Sequence, residues 1–193
     1  MKSLLQCICV LLIFFAFEFA NASGSSKNLG LDLGLGFNST YGLLGLGGRY
    51  FVSENQDINI TTAGDVSGFI IGTGSRFYFQ SSEGKCFFVF SCKPKYFVGV
   101  TAIRANGSTV TIEDDGAKGE YKQSDGYAGQ LTVGSYDTFD ESFTMGFELG
   151  YRAWLKRPDF KFQSGTFLPK HQSDLEKYVE DSIGVGLTLG WIF

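Results

Sequence analysis

From residue 27 onward, large apolar side chains alternate with small or polar ones at a period of two, the pattern of a strand with two unlike faces. Eight segments carry it. In 29–37, Leu29, Leu31, Leu33, Leu35 and Phe37 oppose Gly30, Asp32, Gly34 and Gly36. Segment 41–52 sets Leu44, Leu46, Tyr50 and Val52 against Gly45, Gly47 and Arg49, and the weakest, 57–62, sets Ile58 and Ile60 against Asn59 and Thr61. In 67–79, Phe69, Ile71, Phe77 and Phe79 oppose Gly68, Gly72, Gly74 and Arg76. Segment 96–104, with a continuation toward Val110, turns Tyr96, Val98, Val100 and Ala102 away from Gly99 and Thr101. Segment 127–136 sets Leu131 and Val133 against Gln130, Thr132 and Gly134. Segment 143–155 sets Phe143, Met145, Phe147, Leu149 and Tyr151 against Thr144, Gly146, Glu148, Gly150 and Arg152. The last, 183–193, opposes Ile183, Val185, Leu187, Leu189, Trp191 and Phe193 to Gly184, Gly186, Thr188 and Gly190.

In a water-soluble sandwich the second face would be rich in Lys, Glu, Thr and Ser. Here it is mostly glycine with single charges. Glycine weakens a strand and adds no solubility, but inside a narrow barrel it leaves room for a few large polar side chains. The apolar face then meets lipid, which is the arrangement of a transmembrane β-barrel. Closure is required, because an open edge in lipid strands its backbone groups. The expected fold is therefore an all-β, eight-stranded, antiparallel up-and-down barrel. Numbered from a periplasmic start, it puts the short connections 53–56 and 137–142 inside and the long ones, 106–126 and 156–181, outside. Aromatic residues gather at both ends. Tyr50, Phe51, Phe77, Phe79, Tyr96, Phe139, Phe143, Trp191 and Phe193 form the inner girdle, and Phe37, Tyr41, Tyr127, Tyr151 and Trp154 the outer one. The outer connections 38–40 and 63–66 are short, which weights any outer binding surface toward the later strands.

Composition agrees with this and adds a destination. Glycine occurs 26 times and proline three, 16% of residues are aromatic, and only 19% are charged. A net charge of −4 with no Lys/Arg cluster argues against a nucleic-acid partner. Lys2, an apolar run from Leu4 to Phe17 and Ala20-Asn21-Ala22 have the layout of a secretory signal peptide, residues 1–22, leaving 23–193 as the barrel domain. Cys86 and Cys92 then enter an oxidising compartment and are expected to pair. Of the four cysteines only Cys86 and Cys92 lie in 23–193, and with the one histidine they are too few for a zinc-type site; no cofactor is implied.

The stretches "NLGLDLGLGFN", "GLLGLGGRYFVSEN", "GTGSRFYF", "KPKYFVGV" and "GVGLTLGWIF" make the chain resemble the small eight-stranded outer-membrane barrels of the OmpA/OmpX type. That resemblance implies an integral protein of the Gram-negative outer membrane, in contact with its lipid and monomeric. It also implies that the amphipathic last strand, with Trp191 and terminal Phe193, is the signal read by the barrel-assembly machinery. The fold hosts several activities and does not choose among them.

Three features invite chemistry. Asp32, Arg49, Arg76, Glu148 and Arg152 point inward, where charges must pair or meet trapped water; they form a shape-fixing plug or, alternatively, a narrow porin-like channel. His171-x-Ser173 resembles the His-x-Ser of outer-membrane lipid A deacylases, with Glu176, Glu180 and Asp181 near in sequence to orient an imidazole. Against that, Ser173 and Glu176 fit a helix capping box, with Leu175, Tyr178 and Val179 as the apolar side of a short helix. The connection 106–126 carries Glu113, Asp114, Asp115, Glu120 and Asp125 against Lys118 and Lys122, with no EF-hand spacing, and reads as a solvated loop. The expectation is a non-catalytic surface protein whose loops 106–126 and 156–181 meet a host or surface ligand in an adhesin-like role.

Overall fold

The computed structural model describes residues 28–65, 68–80, 95–114, 116–139 and 142–193. The signal segment, Cys86 and Cys92 lie outside the described residues. Among the described residues, no helix is long and apolar enough to cross a membrane.

Eight strands close into a barrel in which each pairs antiparallel with its neighbours in the wall. They are β1 (Leu29–Phe37), β2 (Leu44–Ser53), β3 (Gln56–Asp65), β4 (Gly68–Gln80), β5 (Lys95–Asn106), β8 (Gly126–Phe139), β9 (Phe143–Lys156) and β11 (Ser182–Ile192). The seam is formed by β1 and β11, from Gly30 opposite Ile192 to Phe37 opposite Val185. Phe193 extends it, its N–H donating to the Leu29 carbonyl at 2.8 Å. The weakest segment of the sequence becomes a full strand. β3 runs three residues past Thr62 because its alternation continues through Ala63 and Asp65, inward like Asn59 and Thr61.

The alternation maps onto the wall as expected from the two faces. Leu33, Ile60, Val100, Leu131 and Leu187 are 41%, 60%, 55%, 59% and 50% exposed, while the intervening Asp32, Asn59, Thr101, Gln130 and Thr188 are buried. An apolar belt of this extent around a whole barrel has no stable place in water. Three girdle assignments are corrected. Tyr41 and Trp154 do not face outward, and Phe51 packs on the inward aromatic cluster. Trp154 shares the parity of Arg152, and Tyr41 lies in the β1–β2 connection, not in a strand.

The connections 106–126 and 156–181 are also corrected: they are ordered structure above the rim, not loops. The hairpin of β6 (Thr109–Asp114) and β7 (Ala117–Gln123) continues β5 and β8 in unbroken register, with Ala105 opposite Gly126 and Thr109 opposite Lys122. β10 (Phe160–Gly165) pairs with β7, so three wall strands extend as a three-stranded sheet. Helix α1 (Pro169–Tyr178) packs on that sheet. It starts at Pro169, whose fixed φ and missing N–H suit a first helical position. Ser173 is therefore mid-helix and caps nothing. His171, Leu175 and Val179, four residues apart, form its buried stripe against Tyr121 and Phe160.

Candidate functional site: the filled barrel and its cap

The interior is built in three layers. At the turn end, Tyr78, Phe97 and Tyr136 cluster with Phe51 and Ile192, and the Tyr78 ring lies 5.8 Å from both Phe97 and Tyr136. At the cap end, Ala63, Ile70, Ile103, Ala105 and Ala128 cluster under Trp154. Trp154 also touches the cap core, joining the two bodies.

Between them lie the charges. All five expected residues are buried inside, and the pairing that sequence left open is now resolved. Arg49 donates to Asp32 at 2.7 Å, and Arg76 lies 3.6 Å from Glu148. Arg152 donates to Asp65 at 2.7 Å, a partner the sequence reading missed. Asp57 was missed as well; it accepts from Tyr78 and, at 3.4 Å, from Asn59. Extending the parity of Asn59 and Thr61 one step back to Asp57 and two steps on, through Ala63 to Asp65, would have found both. The guanidiniums also stack on rings, Arg49 at 4.4 Å from the Tyr136 centroid and Arg76 at 5.0 Å from Phe97.

The β1–β2 connection completes the filling. Residues 38–41 are buried, Tyr41 fully so. Loops normally stay on the surface because their backbone groups need water. Here the lumen supplies partners instead. The Thr40 N–H donates to Glu148 at 2.8 Å, and Arg152 donates to the Ser39 carbonyl at 2.7 Å. Tyr41 donates to Asp32 at 2.7 Å and accepts from Arg76 at 3.3 Å. Asn38 and Gly42 make the inward turn at φ 49° and 56°, the left-handed region that Asn and Gly tolerate. The inward glycines gain a specific reason: a Cβ on Gly34 would lie 2.2 Å from Tyr41 Cγ, and one on Gly47 2.8 Å from Tyr41 Cε1. The space they leave holds a loop tyrosine.

His171 and Ser173 are not brought together. Two residues apart on a helix are roughly 200° apart around its axis. His171 is buried edge-on against Tyr121, and among the described residues neither ring nitrogen has a hydrogen-bond partner, whereas Ser173 is exposed. The acidic residues of 106–126 are likewise dispersed. Asp114 pairs with Lys170, whose hydrogen bond holds its carboxyl below the usual range. Glu120 accepts from Ser164 at 2.7 Å. Asp125 accepts from the Gly107 N–H at 2.7 Å and from Arg104 at 2.8 Å, and these bonds hold its carboxyl low. Trp191 sits outward at the turn end, 5.5 Å from Phe143, and Phe193 is half-buried beside it in the seam.

Closed antiparallel wall, apolar exterior and charged, filled interior together define an outer-membrane-type eight-stranded β-barrel. No family model matches the chain, and no curated protein matches it. Among solved structures it is similar to the N-terminal β-barrel domain of Pseudomonas aeruginosa OprF, with a TM-score of 0.50 and 12% identity, covering 88% of this chain and 100% of that one. At that identity the likeness speaks for the fold alone.

Proposed function

We propose that the protein is an integral outer-membrane barrel that serves as a rigid, non-conducting anchor and presents its cap to the cell exterior as an interaction surface. The observation that carries this reading is the inversion of the wall: a belt of exposed Leu, Ile, Val and Phe on all eight strands around an interior of buried ion pairs. Water favours the opposite arrangement, and lipid favours this one. The filling by Tyr41 and its loop supports an anchor over a pore, since an eight-stranded barrel has little room beyond its own side chains. The separation of His171 from Ser173 supports a non-catalytic role. The cap, with its own sheet, helix and core, is the part shaped for contact with a partner, and the short β3–β4 connection leaves that role to it.

Fractionation tests this directly. The protein is expected in the outer membrane, with gel mobility that changes on heating, and silent in planar bilayers. Recovery as a soluble periplasmic protein would overturn the reading, and steady single-channel currents would replace the anchor with a pore.

A further inference from the structure

The outward face of the wall is uneven, and strand register lets it be read row by row. One row across β4, β5, β8 and β9 is Ile71, Arg104, Tyr127 and Lys156. The next row toward the turn end is Thr73, Ala102, Gly129 and Ala153. The row after that returns to Ser75, Val100, Leu131 and Tyr151. The middle row is thus a shallow channel across β5, β8 and β9, bounded on the β4 side by Thr73. Gly129 has no reason inside the barrel. Unlike Gly34 or Gly47, a Cβ there meets nothing within 4 Å, and its φ is not in the left-handed region. Glycine weakens a strand interior, so what it provides at 129 lies on the outer surface.

The row above the channel carries the charge. Arg104 is 53% exposed and held at the rim by Asp125 at 2.8 Å, with its guanidinium 5.9 Å from the Tyr127 centroid. That bond uses one nitrogen, and the remaining donors take no other partner among the described residues. Lys156, opposite Tyr127, makes no ion pair among the described residues and feels Asp125 only at longer range. Two cations thus flank one carboxylate already bound twice. On the other four strands the outward positions at this end are Phe37, Leu44, Gly64 and Ile183, none of them charged, and β4 adds only Phe69 and Ile71. Surplus positive charge and the retracted wall therefore coincide in one sector.

We propose that this sector binds one phosphate-bearing lipid of the outer leaflet. The phosphate accepts from Arg104 and Lys156, and an acyl chain lies in the channel over Ala102 and Gly129. Charge-assisted bonds to phosphate are the strong kind, and a chain laid in the channel gains close contacts that a bulkier wall denies it. The inference rests on the membrane reading above.

The full chain is placed in phosphatidylcholine vesicles doped with phosphatidylglycerol, and co-purified lipid is read by native mass spectrometry. Wild type is expected to retain one phosphatidylglycerol in preference to phosphatidylcholine. Arg104→Gln with Lys156→Gln should lower that retention roughly tenfold. Gly129→Leu should lower it too, and heat-modifiable mobility should be unchanged in every variant. Retention without preference, variants equal to wild type, or displacement of the lipid by equimolar inorganic phosphate would each overturn the proposal. A protein that does not enter vesicles at all overturns the membrane reading itself, a different result from one that inserts and shows no preference.

Discussion

Gly34→Ala is the smallest change that tests whether the interior is filled by the β1–β2 loop. The new Cβ would sit 2.2, 2.5 and 2.6 Å from Cγ, Cβ and Cδ1 of Tyr41. These atoms are the root of the ring, so no rotation of its far end relieves the clash. Tyr41 must leave, and with it goes the 2.7 Å bond to Asp32. Overpacking costs roughly 1–3 kcal/mol. The lost bond to a buried carboxylate adds roughly 1.5–3 kcal/mol. Alanine returns roughly 0.5–1 kcal/mol over glycine in a strand. The net loss expected is about 2–5 kcal/mol, read as a lower urea midpoint for unfolding from vesicles. Gly129→Ala is the control, because its Cβ meets nothing within 4 Å; it should be neutral or slightly stabilising. The double variant Gly34→Ala with Tyr41→Ala should be less unstable than the two single losses added together, since the clash needs both side chains. Stability of Gly34→Ala equal to wild type, or strict additivity, would refute the reasoning.

Other consequences follow from the same contacts. Arg49→Met leaves the Asp32 carboxylate buried without its cation and should cost roughly 3–5 kcal/mol; adding Asp32→Asn should recover most of it, as measured by urea unfolding. Leu175→Ala should loosen the cap by roughly 2–5 kcal/mol, seen as faster hydrogen exchange over 169–178 with unchanged heat-modifiability of the barrel. Asp125 has a carboxyl held below its unfolded value, so its strap on Gly107 is fully present above the ordinary aspartate range and is lost as pH falls through the lowered value. Solvent protection of the Gly107 amide should therefore fail on acidification, and Asp125→Asn should remove that pH dependence. Ser173→Ala should leave lipid A acylation unchanged by mass spectrometry; a shifted acylation pattern would revive the deacylase reading.

Most of the wall was legible because a strand in a barrel has only two environments and a period of two. Every alternation assigned from the sequence, even the weak one around Ile58 and Ile60, holds. The continuation of β5 through Val110 is broken: β5 ends at Asn106 and β6 begins at Thr109, with Val110 and Ile112 keeping the apolar parity across the gap. What escaped was whatever depends on where strands stop. Tyr41 looked like the start of β2, and nothing local says that a loop turns inward; that depends on Glu148 and Arg152, more than 100 residues away, satisfying its backbone. The pairing of Arg152 with Asp65 spans 87 residues and needs the closed register. The charged stretch 106–126 looked solvated because its alternation is interrupted by Gly107-Ser108 and Ser124-Asp125, where the ladder continues in register although the strands are broken. Helix α1 was expected from Ser173, and the stronger signal at Pro169 was overlooked.

The central claim is that the apolar face meets lipid. Nitroxide labels at Leu35, Leu46, Leu131, Leu149 and Leu187, compared with labels at Glu113 and Lys118 in the cap, test it in membrane-reconstituted protein. The five belt labels should relax strongly with oxygen and weakly with a water-soluble nickel chelate, and the cap labels should do the reverse. Belt labels that respond to the chelate as the cap labels do would contradict it.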